Sequence, residues 1–142
     1  MINKIVEGAA SALYEAMGDG YPIYRNDLRQ GLEPPCFLIL SVGPSLAPQP
    51  SGIKLLTVPL DISYFPSDSG DNAEMQRAGL AVMDAVELIP LSEEKKLRGL
   101  RRSMQIVDGV LHISVTYEAF LRNVPDVDPM EVLDLDIYLK EF

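Results

Sequence analysis

The sequence predicts an α/β domain of the α+β kind: an antiparallel or mixed sheet of four or five strands with two helices packed on one face. Three observations lead there. Apolar residues recur at helical spacing from Ile2 to Met17. Apolar and polar residues alternate through Leu56–Phe65 and again through Val110–Phe120. Phe37, Leu38, Ile39, Leu40 and Val42 form an apolar run broken only by Ser41. A run that short suits a strand covered on both faces, so it is predicted as the centre strand.

Taken in order, Ile2, Ile5, Val6, Ala9, Leu13, Ala16 and Met17 make one apolar stripe, and Asn3, Lys4, Glu7, Ser11 and Glu15 fall elsewhere. That is an amphipathic helix over residues 2–17, ended by Gly18 and Gly20. Pro22 opens a short strand through Tyr24. Arg25, Asn26, Asp27, Arg29 and Gln30 then form a charged bend before Gly31. The bend reads either as solvated or as the polar rim of a subunit contact. Pro34 and Pro35 have fixed φ and no donor, so they set the angle at which the apolar strand enters the core. Residues 43–52, GPSLAPQPSG, are predicted as a flexible loop joining two antiparallel strands.

In the strand over residues 56–65, Pro59 cannot donate to a ladder, so its N–H side should face no neighbour or a bulge. Residues 66–71 make a turn, and Asp71 or Asn72 caps a second helix. Met75, Gly79, Val82, Val86 and Ile89 give that helix its inner stripe, and Pro90 closes it. Leu91–Arg102 holds Lys95, Lys96, Arg98, Arg101 and Arg102, five of the twelve cations. It reads as a solvated connector or as an electrostatic contact with an acidic partner. A nucleic-acid site there would want interleaved aromatics, and none is present. Asp108-Gly109 between Met104–Val107 and Val110–Phe120 predicts a hairpin with a two-residue turn. Leu111, Ile113, Val115 and Tyr117 should point inward, and His112, Ser114 and Thr116 outward. The segment 124–142 is acidic, and its alternation from Val132 to Leu139 predicts a last strand with Asp134 and Asp136 outside.

At 142 residues the chain is predicted to be one domain, 1–142. A chain of this size buries about 68–70% of its unfolded surface without disulfides or metals. The net charge is −9 and the isoelectric point about 4.5. That balance argues against general nucleic-acid binding and against anionic membranes. Cys36 is the one cysteine, so no intramolecular disulfide forms, in keeping with a reducing cytosol. It sits in the apolar strand and is expected to be a small core residue. The N-terminus lacks a continuous apolar region and carries Glu7 and Glu15, unlike a signal peptide. No apolar run is long enough to span a bilayer.

Chemistry-bearing patterns are missing. The glycines form no phosphate loop, no Cys/His cluster has zinc spacing, and no serine sits in a nucleophile elbow. His112, the single histidine, has no carboxylate or cysteine at ligand spacing in the sequence. It is expected as an exposed strand residue rather than a base or a ligand. Neither a cofactor nor a metal is expected, and neither is an enzyme activity.

Four segments carry a resemblance: IYRNDLRQGLEPPCFLI, VPLDISYFP, NAEMQRAGLAVMDAVELI and IVDGVLHISVTYEAFLR. Their order and spacing resemble the small tail terminator proteins of tailed bacteriophages and prophage elements, in the branch common in Gram-positive bacteria. The similarity spans roughly Lys4 to Arg122. It implies a virion structural protein made in the host cytoplasm. Such a protein forms a homohexameric ring on the last tail-tube ring, stops tube growth and offers the surface to which the neck or head completion protein attaches. In a contractile particle the sheath protein would be a further partner, and a headless bacteriocin-like particle is a further setting. DNA would pass through without specific binding, and no membrane is involved. Arg25, Asp27, Arg29, Gln30, Lys95, Lys96, Arg98 and Arg101 are the candidate subunit or partner contacts. Glu33, Asp61, Asp134 and Asp136 are the candidate channel-lining acids. Two alternatives stay open: another neck or head–tail connector protein, and a cytosolic dimeric binding module with no phage role.

Overall fold

The computed structural model describes residues 1–25, 31–67, 71–122 and, for its backbone only, the strand at 137–139. Helix α1 spans Ile2–Met17, the range its periodicity predicted. Gly18 takes φ 82° and donates back to the Tyr14 carbonyl at 2.9 Å. That positive φ is where glycine ends a helix at little steric cost. The buried side of α1 is wider than the predicted stripe. Gly8, Ala10 and Ala12 are buried with Ile5, Val6, Ala9 and Leu13, whereas Ala16 is exposed. Small residues on the second flank let α1 lie close to a neighbouring element.

The strands are β1 (Ile23–Arg25), β2 (Cys36–Ser41), β3 (Ser45–Pro48), β4 (Ile53–Phe65), β5 (Leu88–Pro90), β6 (Lys96–Arg98), β7 (Leu100–Val107), β8 (Val110–Arg122) and β9 (Ile137–Leu139). Seven form one sheet in the order β1-β2-β4-β8-β7, with β3 beside β4 and β9 beside β8. β1 runs parallel to β2 and the other pairings are antiparallel, so the sheet is mixed. The spine is the β4–β8 pair, in register from Ile53↔Arg122 to Tyr64↔Leu111. The apolar run expected at the centre is therefore one place off it. β2 reads as doubly covered because Cys36 and Leu38 are buried on the face away from the helices, while Phe37 and Ile39 belong to the main core.

β2 and β3 are one interrupted strand along β4. Ser41 pairs with Leu60 and Ser45 with Thr57, so Val42, Gly43 and Pro44 stand opposite Val58 and Pro59. One extra residue makes this a bulge, with Gly43 at φ 61°. The Val42 N–H donates to the Pro59 carbonyl at 2.9 Å. An antiparallel residue turns its N–H and C=O to the same side, so the missing donor of Pro59 faces the bulge, as expected. The predicted loop at 43–52 does join antiparallel strands. Four of its residues nonetheless form β3, and a single 3-10 turn at Pro50–Gly52 closes the hairpin.

Helix α2 spans Asn72–Ala85. Asp71 caps it, its carboxylate accepting from the Glu74 N–H at 3.0 Å. The helix stops short of the predicted end. Val86 is its C-cap and Ile89 belongs to β5, which pairs with β6 in a small ribbon. Ile89 and Leu97 of the ribbon are buried, so part of the expected connector at 91–102 is core. Tertiary burial overrode the helical spacing, because Ile89 reaches the same core from a strand.

The helices and the ribbon cover one face of the sheet. Tyr64, Ile62, Leu60 and Val58 of β4 and Leu111, Ile113, Val115 and Tyr117 of β8 meet Ile5, Leu13, Met75 and Val82 there. The turn at Asp108-Gly109 has φ 52° and 76°, as a two-residue hairpin demands. No helix of the described residues is long and apolar enough to cross a membrane.

Candidate functional site: the sheet edges and the open face

Strand alternation gives the sheet a second face, away from the helices. Asp61 and Ser63 lie on it from β4, and His112 from β8, directly across from Ser63. The Ser63 hydroxyl lies 3.0 Å from Asp61 Oδ2 and 3.1 Å from His112 Nδ1, and His112 Nδ1 is 3.3 Å from Asp61 Oδ2. The composition is that of a hydrolytic triad, but the geometry is not. A triad histidine holds its acid on one ring nitrogen and its nucleophile on the other. Here both partners share Nδ1. Ser63 is also only 3% exposed, which leaves no approach for a substrate. The cluster satisfies a polar patch in the middle of the sheet. Single-sequence reading places His112 on the outer face but does not find its partners, which lie 49 and 51 residues away.

Asp61, a candidate channel acid, is thus a half-buried partner of His112 on the open face. Glu33 is exposed, just ahead of the Pro34–Pro35 step. Asp134 and Asp136 lie outside the described residues. So do Asp27, Arg29 and Gln30.

The remaining candidate contacts scatter rather than converge. Arg25 ends β1 with its Nε 3.0 Å from Glu7 Oε1 of α1, and both side chains are largely solvated. Such a pair is worth about 0–1 kcal/mol. Arg98 and Arg102 share one carboxylate, with nitrogens 3.5 Å and 3.8 Å from Glu87 Oε1. Arg102 also donates to the Met83 carbonyl at the end of α2. The Lys95 carbonyl closes the turn before β6, accepting from the N–H groups of Leu91 and Ser92. Lys96 is exposed at a shallow cleft lined by Glu15, Ala16, Ala85 and Leu88. Arg101 is exposed on a bulge of β7, at φ 52°.

Burial sets the remaining electrostatics. It pushes the Cys36 thiol up, away from the nucleophilic thiolate. It pushes the Tyr64 phenol up to about 12, assisted by the Glu74 carboxylate and by Tyr21. Tyr21, Phe37 and Tyr64 form an aromatic cluster with centroids 5.0–6.1 Å apart. Among the described residues, no group of three or more His, Cys, Asp or Glu could hold a metal ion.

The clefts are open to solvent, and one between α1 and β1 is lined by Ser11, Tyr14, Glu15, Asp19, Tyr21 and Arg25. One apolar groove lies beside β3, lined by Met1, Ile2, Leu46, Leu56 and Leu121. What distinguishes the surface is its edges. Gln49 N–H donates to the Ile53 carbonyl at 2.7 Å, so by alternation Ser45 and Ala47 turn their polar groups to β4. Pro44, Leu46 and Pro48 turn theirs outward. Two of these three have no N–H to offer, so prolines block the β3 edge. β7 has no such block.

Comparison with known proteins bears on most of the chain. No curated protein matches it. A family model described as phage tail terminator protein matches residues 4–129. That span takes in α1 from Lys4, all of α2 and β1 to β8, including every bulge and edge described above. The chain belongs to the phage tail terminator protein family.

Proposed function

We propose that this protein caps the growing tail tube, ends its polymerisation and presents the surface to which the head or neck attaches. The observation that carries the reading is the family match over residues 4–129. The physical support is a fold whose polar clusters satisfy one another and leave shape and surface as its contribution. We place it as a homohexameric ring on the last ring of tube protein, with one face complementary to the tube and the other refusing further tube. Head-to-tail contacts that close after a fixed rotation give a ring rather than a filament. Its partners on this reading are the tube protein, the neck or head completion protein, and further copies of itself. A net charge of −9 suits a ring through which DNA slides without adhering. Glu33 and Asp61 remain the lumen candidates among the described residues.

Deleting the gene from its particle tests this. The expected result is tails of uncontrolled length that carry no heads, restored when the protein is supplied in trans. Tails of normal length, joined to heads, would overturn it.

A further inference from the structure

β8 offers one of its sides to two strands in turn. β7 pairs with it from Val110 to Thr116, and beyond Thr116 the same side is taken by β9, over Ala119–Leu121. Val107 and Val110 flank the two-residue turn and exchange hydrogen bonds across it. By alternation Phe120 turns its N–H and C=O to β9, where it stands opposite Tyr138. The far end of β8 is therefore a slot three residues long, filled by a strand of this same sequence.

The connection to that strand is long. β8 and β9 are consecutive and antiparallel, an arrangement that about two to five residues can close. Here fourteen residues, 123–136, lie between them. They include five acids, two prolines and no cation. Repulsion among like charges extends a linker rather than closing it. Fully extended, such a stretch reaches about 46–50 Å. A compact chain of this size is roughly 35–40 Å across, which sets the distance between equivalent points on adjoining copies. The connection is far longer than its own hairpin needs and long enough to reach the next copy.

We propose that β9 is an exchanged arm: on assembly it leaves its own β8 and fills the same slot, beside Ala119–Leu121, on a second copy of this chain. The proposal rests on the ring reading above and supplies its contact. The occupant is the one already seated in the slot, since exchange remakes the same ladder between different copies. Slot and arm are different parts of the surface, so each copy gives to one neighbour and receives from the other. Such contacts need no further free edge on the sheet, and head-to-tail contacts are those that close rings.

Cross-linking of the full chain tests this. Phe120→Cys combined with Tyr138→Cys puts two thiols on facing positions of the ladder, within disulfide reach. Oxidised in dilute solution, the chain should link to itself and run as a monomer on a denaturing gel. Oxidised after assembly on purified tail tubes, it should run as covalent multimers larger than dimers, and neither single-cysteine variant should do so. A second variant deletes residues 126–133. The six connecting residues left, about 20 Å at full extension, close the hairpin but do not reach a neighbour. Circular dichroism should report that variant as folded, and native mass spectrometry should show loss of the assembled state. Rings whose chains link only to themselves, or that form with the shortened connection, would overturn the exchange and leave the ring reading standing. Covalent dimers with nothing larger would overturn the head-to-tail assignment. A chain that never assembles, on tubes or alone, would overturn both.

Discussion

The hydroxyl of Tyr117 donates to the main-chain carbonyl of Val86 at 2.7 Å, tying the middle of β8 to the end of α2. Both residues are fully buried. A helix leaves its last carbonyls without partners, and this phenol supplies one from the sheet. Burial holds the Tyr117 phenol well above the usual range, so it stays a donor throughout the physiological span. Tyr117→Phe keeps the ring and orphans the carbonyl. Its expected cost is about 1–3 kcal/mol, read as a shift in the denaturant midpoint with unchanged slope.

Gly8 lies where α1 crosses the β5–β6 ribbon, and a Cβ there would overlap the Pro90 carbonyl oxygen. Two effects compete in Gly8→Ala. Alanine is better in a helix by about 1 kcal/mol. Displacing backbone in a packed core costs about 1–3 kcal/mol, and here the obstacle is a carbonyl rather than a movable side chain. Net destabilisation is expected by equilibrium unfolding. Gly79→Ala meets the sulfur of Met104 instead, a flexible neighbour, and should cost less.

Alkaline pH should weaken the fold in a defined window. Cys36 is raised above 9.0, and Tyr64 from 10.0 to about 12. Each raised group favours the protonated, neutral form in the folded state. Stability from Tyr64 is whole below pH 10 and is lost as pH rises towards 12, because the unfolded chain releases its proton first. The decline begins near pH 9 through Cys36. Unfolding free energy measured from pH 8 to 11.5 should fall progressively, and Tyr64→Phe should lessen the slope above pH 10, where the buried Tyr117 phenol also contributes. A slope unchanged in that variant would contradict the assignment.

Replacing both Pro44 and Pro48 by threonine restores two outward donors on β3. Neither proline contributes an N–H to the ladder with β4, so the fold should persist. The expected change is concentration-dependent association, seen by light scattering, because a blocked edge has become a pairing edge. Unchanged solution behaviour would show that the prolines do not guard it.

The Asp71 carboxylate that accepts from Glu74 N–H satisfies one of the first donors of α2. Asp71→Ala should cost about 1 kcal/mol. Asp71→Asn, which keeps an acceptor, should restore most of that in thermal unfolding.

What depends on near neighbours in the chain was readable. The spacing of Ile2, Ile5, Val6 and Leu13 defined α1 to its last residue, and Gly18 explained where it ends. Asp108-Gly109 announced its turn, and the cap was narrowed to Asp71 or Asn72, of which Asp71 serves. The alternation from Leu111 to Tyr117 gave the correct inward face, and Pro59 called for either an unpaired side or a bulge, of which the structure has the bulge at Gly43. Each of these follows from backbone geometry within a few residues. The order of the sheet did not. An apolar run shows that β2 is covered, not which strand it lies beside, and the spine proved to be β4 with β8. β3 hid among prolines that mark an edge as readily as a loop. Ile89 kept helical spacing yet reached the core from a strand. His112 found Asp61 and Ser63 only once β8 had been laid along β4. The tertiary structure decided these because pairing between distant strands is selected by total burial and ladder bonding, and local spacing carries no record of that sum.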